Sequence, residues 1–258
     1  MPIHIIVCIK SVVKAAPKGV ARRTPDNSEL NPFDRPALEA ALRIKGLTKG
    51  TVTALSMGPP VSAEALAEAQ AMGVDRAVLI NDRALAESDT LVTARVLAAG
   101  IQKIGAFDML LFGTRTSDSD TGQVGPQTAA VLALPFVSGI KEIDPQGDEW
   151  SLQRTMDAWE ETWQVRRPAA GTVDARAFKP RPIGLAGISD VFDRPSVEQW
   201  SLADLGLMPG AVGLAGSPTR VVSLEKIKRA RRCTMLEGEP AKQVEELLER
   251  LARAGLVG

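Results

Sequence analysis

The first patterned segment is a nearly unbroken apolar run, Ile3, His4, Ile5, Ile6, Val7, Cys8, Ile9. A strand with no polar face is buried on both sides, as in a parallel sheet covered by helices. Residues 11–31 are polar, contain two Pro and one Gly, and read as a loop. Leu38, Ala41, Leu42 and Lys45 then follow at helical spacing, predicting a helix that opens near Pro32 to Asp34 and stops at Gly46. The pattern repeats. Residues 51–56 predict a strand, Gly58-Pro59-Pro60 a turn, and residues 62–72 an Ala-rich helix with Ser62 as N-cap and Gly73 as stop. A short strand at 77–80, a helix at 89–104, a strand at 107–112, a loop at 113–120 and a helix at 121–132 follow. This alternation predicts an α/β fold, a doubly wound and mostly parallel sheet of Rossmann-like kind.

After Pro135 the period changes. Residues 136–143, 150–156 and 162–165 read as strands joined by turn-rich links such as Asp144-Pro145-Gln146-Gly147, so antiparallel strands are added to the main sheet. Residues 169–173 predict a returning central strand. From 178 to 218 the chain is rich in Pro and Gly and reads as extended. At 239–256 Val244, Leu247, Leu248 and Leu251 line one stripe of an amphipathic helix. The predicted division is a nucleotide-binding α/β domain at 1–188, then a C-terminal arm and helix at 189–258.

Composition narrows the function classes. The chain has 258 residues, with 31 Lys and Arg against 31 Asp and Glu, so it lacks the basic excess of a nucleic-acid binder. The longest apolar runs fall well short of the ~20 residues of a membrane span. The N-terminus has no basic lead-in of a signal peptide. One His and two distant cysteines, Cys8 and Cys233, argue against a zinc site and fit a reducing, cytoplasmic location.

The strongest chemical signal is FDMLLFGTRTSDSDTGQVGPQTA at 107–129, a buried strand running through a polar loop into a helix. Ligands bind α/β sheets at the carboxyl ends of parallel strands, and helix N-termini hold anions on unpaired N–H groups. Gly122 and Gly125 leave the first turn bare, and Thr121 and Gln123 add neutral donors. Asp118 and Asp120 would repel a phosphate they faced. One is expected to cap the helix and the other to meet a ribose or a main-chain N–H. An ordinary acidic helix cap explains the same residues, so both readings stand at this point. The loop is neither GxxxxGK[ST] nor GxGxxG. Ser56-Met57-Gly58-Pro59 and Asn31-Pro32-Phe33-Asp34 are predicted to reach the same sheet edge.

Several motifs together resemble the β subunit of electron transfer flavoproteins. They are VCIK (7–10), NPFD (31–34) followed by ALEAALRIK (37–45), SMGPP (56–60), AMGVDRAVLI (71–80) and SDSDTGQVGP (117–126). The resemblance covers roughly residues 1–188. It implies an electron-carrier subunit rather than an enzyme. It also implies a heterodimer with an α subunit carrying redox-active FAD, electrons taken from a flavin dehydrogenase such as an acyl-CoA dehydrogenase, and delivery to a quinone reductase or similar acceptor. The family's own nucleotide contacts carry over onto Cys8, Asn31, Pro32, Phe33, Asp34 and Met57. On the long loop they fall on Gly113, Thr114, Arg115, Thr116, Ser117, Asp118, Ser119, Asp120, Thr121, Gly122, Gln123, Val124 and Gly125. Cys8 stands where the family often has a small residue, and otherwise reads as a buried hydrophobe.

The resemblance implies FAD or AMP in this subunit. The loop 118–126 is similar to DGDTAQVGP of the electron-bifurcating branch, with Ser119 for Gly and Gly122 for Ala, and 212–219 also resembles that branch. FAD is therefore the expected ligand and AMP the alternative; bifurcation does not follow from FAD binding. A family docking loop, similar to LNEPRYxxLxxIMKAKKK, aligns with residues 177–188 and implies Leu185 as anchor in a dehydrogenase pocket, with Arg181 and Ile188 beside it. Its basic cluster is replaced by Ser189-Asp190-Val191-Phe192-Asp193. An adenine-nucleotide-binding regulatory module resembling stress-response proteins, and an α/β enzyme acting on adenylates, are the rival readings. His4 reads as structural, the basic run 226–232 as a solvated face or α-subunit contact, and Trp150, Trp159 and Trp163 as packing or interface. The 239–256 helix is expected to cover the α subunit.

Overall fold

The computed structural model describes residues 2–14, 24–193, 196–223 and 233–257. The basic run 226–232 lies outside the described residues.

The first apolar run forms strand β1, His4–Cys8, with Ile5, Ile6 and Val7 all fully buried. Two short strands, β2 (Ser11–Val13) and β3 (Ser28–Leu30), then pair antiparallel. The expected 11–31 loop thus carries a small ladder at its ends. Val12 and Leu30 are fully buried apolar residues there, too few to show a period in sequence. Helix α1 (Arg35–Thr48) has Pro36 in its first turn and ends on Lys49 in the left-handed region, so Gly46 lies inside it. Strand β4 (Thr51–Met57) and helix α2 (Ala63–Met72) follow. Ser62 sits at the N-cap of α2, but its side chain makes no capping hydrogen bond. Gly73 closes that helix with φ of 116°.

Strand β5 (Arg76–Ile80) leads to α3 (Thr90–Ile104), capped by Asp89, whose carboxylate accepts from the Val92 N–H at 2.9 Å. Strand β6 (Met109–Gly113) leads to α4, which starts at Val124 and ends at Val131. The expected start near Thr121 is corrected: Asp120 and Gly122 both have positive φ, which keeps the chain out of a right-handed helix there. Strands β7 (Phe136–Gln146), β8 (Glu149–Met156) and β9 (Trp159–Arg166) form an antiparallel ribbon, and β10 (Ala169–Val173) returns parallel between β6 and β7.

The stretch expected to be extended from 178 to 218 is instead partly regular. It contains α5 (Leu185–Asp193), strand β11 (Val197–Trp200) and a short helix α6 (Gly213–Gly216). Strand β11 adds to the edge of the main sheet beside β5, so the sheet continues past residue 188. Arg76 and Glu198 pair across that edge at 2.7 Å, and the Arg76 guanidinium lies over the Trp200 ring. Two compact units result, Met1–Arg220 and Val221–Gly258. The second contains α7 (Pro240–Arg253), which exposes Val244, Leu247 and Leu248.

Among the described residues the main sheet has nine strands in the order β11-β5-β4-β1-β6-β10-β7-β8-β9. All pairings from β11 through β7 are parallel. One face buries Ile5, Val7, Val52 and Ala54 with α1 and α2; the other buries Ile6, Leu55, Leu110 and Phe112 with α3 and α4. Burial of both faces explains why the strands read as apolar runs rather than as alternation.

The ribbon is rooted by Trp150, which is fully buried. Its Nε1–H donates to the Asp108 carbonyl at 3.0 Å, and the Arg167 guanidinium covers the ring at 4.5 Å from its centroid. Trp159 and Trp163 lie further out and are exposed. His4 is structural as read: Nδ1 meets the Ala106 carbonyl at 2.8 Å and Nε2 meets Thr53 Oγ1 at 2.9 Å. Among the described residues, no helix is long and apolar enough to cross a membrane.

Candidate functional site

From β1 the chain moves outward through β4 and β5 on one side, and later through β6 and β10 on the other. The direction of winding therefore reverses between β1 and β6, and the crevice beyond their carboxyl ends is where such sheets bind ligands. Cys8 pairs with Leu55 of β4 and Phe112 of β6, so the residues after all three strands open on the same edge.

The NPFD turn closes this crevice from the α1 side. Asn31 is fully buried. Its Nδ2 donates to the Arg115 carbonyl at 2.9 Å, and its Oδ1 accepts from the Ser117 N–H at 3.3 Å. The Asn31 N–H in turn donates to the Lys10 carbonyl at 2.9 Å. Asn31 thus ties the segment after β1, through its main-chain N–H, to the loop after β6, through its side-chain amide. Phe33 lies under the Arg115 guanidinium, 4.6 Å from its ring centroid.

Asp34 occupies the floor. It is 4% exposed, and its Oδ2 accepts from the Lys10 N–H at 2.8 Å. Burial raises its carboxyl to about 7, against the opposing pull of N–H donors from Lys10 and Gly113, the Asn31 side chain and the Lys10 charge. A Cβ on Gly113 would fall 2.3 Å from Asp34 Oδ1 and 2.5 Å from the Phe33 carbonyl oxygen. Gly113 is therefore demanded by close approach of β6 to the NPFD turn. Cys8 is buried beside this group, and burial followed by the charge of Asp34 raises its thiol, leaving it inert.

Neither acid of the long loop caps α4, which corrects the expected capping role; the expected main-chain N–H contact is made by Asp118. The N-cap position belongs to Gln123, with no side-chain capping bond. Asp118 accepts from Lys10 Nζ at 2.8 Å and from the Ser119 N–H at 2.7 Å. Burial works to raise the Asp118 carboxyl, but Lys10, Thr116 and the Ser119 N–H pull it down to about 2. Asp120 faces Arg115 at 3.6 Å. Both acids are thus directed at cations of their own chain, and the first turn of α4 keeps N–H groups without a side-chain cap. Gly122, with φ of 61°, permits the turn into that helix. Gly125 plays a different part from the expected bare surface: it lets α4 lie against Phe112, to whose ring an added Cβ would come within 3.2 Å.

The structure gathers Cys8, Asn31, Pro32, Phe33, Asp34 and the loop from Gly113 onward at one edge, with Met57 at the end of the neighbouring β4. Several neighbours escaped the sequence reading. Lys10 lay inside a quoted motif, yet its role depends on a partner 108 residues away. Thr90 Oγ1 bonds Gln123 Oε1 at 3.2 Å, joining the starts of α3 and α4. Thr219 donates to Asp89 Oδ2 through its N–H at 3.1 Å and its hydroxyl at 2.9 Å, bringing the 212–219 stretch to the start of α3. Asp89 was visible only as a helix start.

The residues expected to dock a partner lie elsewhere. Leu185, the first residue of α5, is 86% exposed, and Ile188 is 53% exposed. Arg181 turns inward to Glu39 of α1, its Nε 2.8 Å from Oε2.

These features define a doubly wound α/β protein with its loops collected at the switch point of the sheet. A family model for the electron transfer flavoprotein domain matches residues 19–204. Among similar proteins, the caffeyl-CoA reductase-Etf complex subunit CarD of Acetobacterium woodii is 40% identical over 225 residues, 84% of this chain and 86% of that protein. The electron transfer flavoprotein subunit beta of Clostridium acetobutylicum is 37% identical over 224 residues, covering 84% and 86%. Protein FixA of Azorhizobium caulinodans is 36% identical over 249 residues, covering 91% and 88%. The chain belongs to the electron transfer flavoprotein family and is of its β-subunit kind. Membership places it in electron transport and favours a carrier over the regulatory-module reading.

Proposed function

We propose that this chain holds FAD at the crevice beyond β1 and β6 and pairs with an FAD-bearing α subunit. The complex takes electrons from a flavin dehydrogenase and passes them to a quinone reductase or similar acceptor. The observation that carries the nucleotide site is the Asn31 tie: its main-chain N–H holds the segment after β1 at Lys10, and its fully buried side-chain amide holds Arg115 and Ser117 of the loop after β6 at the switch point. The residues suit such a ligand. The acids Asp118 and Asp120 face Lys10 and Arg115, and the α4 first turn offers main-chain donors to a phosphate. The guanidinium of Arg115 lies over the Phe33 ring of the NPFD turn. When bound, the flavin would supply the electron chemistry; the chain's own residues bind and orient it.

FAD is preferred over AMP on the likeness of 118–126 and 212–219 to the bifurcating branch. The similarity to CarD, a subunit of a reductase-Etf complex, agrees with that preference. Exposed Leu185 is the anchor that enters the dehydrogenase, and the apolar stripe of α7 covers the partner subunit. The test is titration of nucleotide-depleted heterodimer with FAD and with AMP. FAD should bind more tightly, and Asn31→Ala should weaken it. Binding of neither nucleotide, or equal binding by wild type and Asn31→Ala, would remove the site from this crevice.

A further inference from the structure

An exposed anchor is useful only if the element carrying it is held still. Otherwise its ordering is charged against every encounter. The segment before α5 is fastened at several points. Phe178 and Ile183 pack on the core, and the Arg43 guanidinium lies 5.4 Å from the Phe178 ring centroid. Arg181 reaches Glu39 three times: Nε to Oε2 at 2.8 Å, Nη2 to Oε1 at 3.4 Å, and the main-chain N–H to Oε2 at 3.2 Å. Glu39 is only 5% exposed and is braced from its own helix by Arg43 Nε at 3.0 Å. Such a forked, charge-assisted contact fixes direction as well as distance.

The second fastening lies within α5 itself. A Cβ on Gly187 would come 2.2 Å from the Ala71 carbonyl oxygen and 3.1 Å from its carbon. The obstacle is backbone of α2, which cannot swing aside as a side-chain end could. Gly187 thus lets α5 lie directly on α2, between the exposed Leu185 and Ile188. Beyond α5, Gln70 Nε2 of α2 donates to Ser196 Oγ at 2.8 Å.

We propose that Arg181, Glu39 and Gly187 form a mount that holds α5 in one orientation and so presents Leu185 ready to dock. Arg181 is on this account a positioning residue rather than part of the docking face. The proposal rests on the reading of Leu185 as the anchor.

The experiment uses the heterodimer as electron acceptor for an acyl-CoA dehydrogenase of the same organism, pre-reduced with acyl-CoA. KM and kcat are measured for Leu185→Ala, Gly187→Ala and Arg181→Met. All three should raise KM, the two mount variants about tenfold, equivalent to about 1.4 kcal/mol, with kcat at saturation held. A raised KM for Leu185→Ala but wild-type KM for both mount variants would overturn the mount while leaving the anchor standing. Wild-type KM for Leu185→Ala as well would remove the anchor, and the mount with it. If Gly187→Ala does not fold, Arg181→Met decides alone, because Glu39 keeps Arg43 as its partner.

Discussion

Replacing Gly113 with alanine is the sharpest probe of how the crevice is built. The new Cβ would stand 2.3 Å from Asp34 Oδ1, 2.5 Å from the Phe33 carbonyl oxygen and 2.7 Å from its carbon. Asp34 cannot step back freely, because it is buried and its Oδ2 already holds the Lys10 N–H at 2.8 Å. Either β6 or the NPFD turn must move. Overpacking of this kind costs about 1–3 kcal/mol, and a hydrogen bond lost from a buried carboxylate adds roughly 1–3 kcal/mol. The combined loss is thus about 2–6 kcal/mol, and for a chain of this size the melting temperature should fall by about 4–24 °C. The displaced turn carries Asn31, so bound nucleotide should be lost as well. Gly46→Ala is the control: it lies inside α1 with nothing within 4 Å of the added methyl, and should be neutral or stabilising by up to ~1 kcal/mol. The assay is thermal melting of the purified heterodimer with its retained nucleotide measured in parallel. If Gly113→Ala melts with wild type and keeps its full nucleotide, the close approach of β6 to the turn is not what shapes the crevice.

Asp34 should make stability depend on pH in an unusual direction for a carboxylate. Burial raises it to about 7 when folded, above its unfolded value, so its contribution is full below about pH 4 and is lost as pH rises through 7, by up to roughly 4 kcal/mol. The stability of wild type relative to Asp34→Asn should therefore decline between about pH 4 and 7 and level off above; a constant difference would count against a buried, titrating carboxyl. Asn31→Ala removes the bonds to Arg115 and Ser117 and should cost about 1–3 kcal/mol. Hydrogen exchange should quicken along residues 115–120, and unchanged protection there would show that Asn31 does not hold the loop. Trp150→Phe loses the bond to Asp108 and part of the Arg167 stacking, for about 1–3 kcal/mol, yet should leave nucleotide content intact. Nucleotide loss in that variant would link the ribbon to the crevice.

The parallel sheet covered by helices on both faces was readable because strands such as Ile5 to Val7 and Leu110 to Phe112 are buried on both faces and carry no polar alternation. The helix ends at Asp89 and Gly73 were readable because capping is local chemistry. Three features were not. The β2–β3 ladder is too short to show a period. Strand β11 lies in a Pro- and Gly-rich stretch and is fixed by β5, a pairing more than a hundred residues distant. The start of α4 depends on positive φ at Asp120 and Gly122, which residue type alone does not determine.

The site was legible as a set of segments and illegible as a circuit. Asn31, Asp34 and Gly113 were all named as ligand contacts; the geometry adds that Asp34 is pinned by the Lys10 N–H and that Gly113 lies directly against it. The expected helix cap failed because Lys10 and Arg115, the cation partners of Asp118 and Asp120, are chosen by the fold, while the expected main-chain N–H contact is made by Asp118 to Ser119. Arg181 aligned with a docking motif, yet its partner Glu39 is on α1, 142 residues earlier.

The central claim is that this chain holds its own flavin nucleotide beside a flavin-bearing partner. It is tested most directly by purifying the intact heterodimer, denaturing it and counting the nucleotides released. Two FAD per heterodimer is the predicted result. One FAD with no second nucleotide would contradict the claim, and one FAD with one AMP would keep the crevice as a nucleotide site but overturn FAD as its ligand.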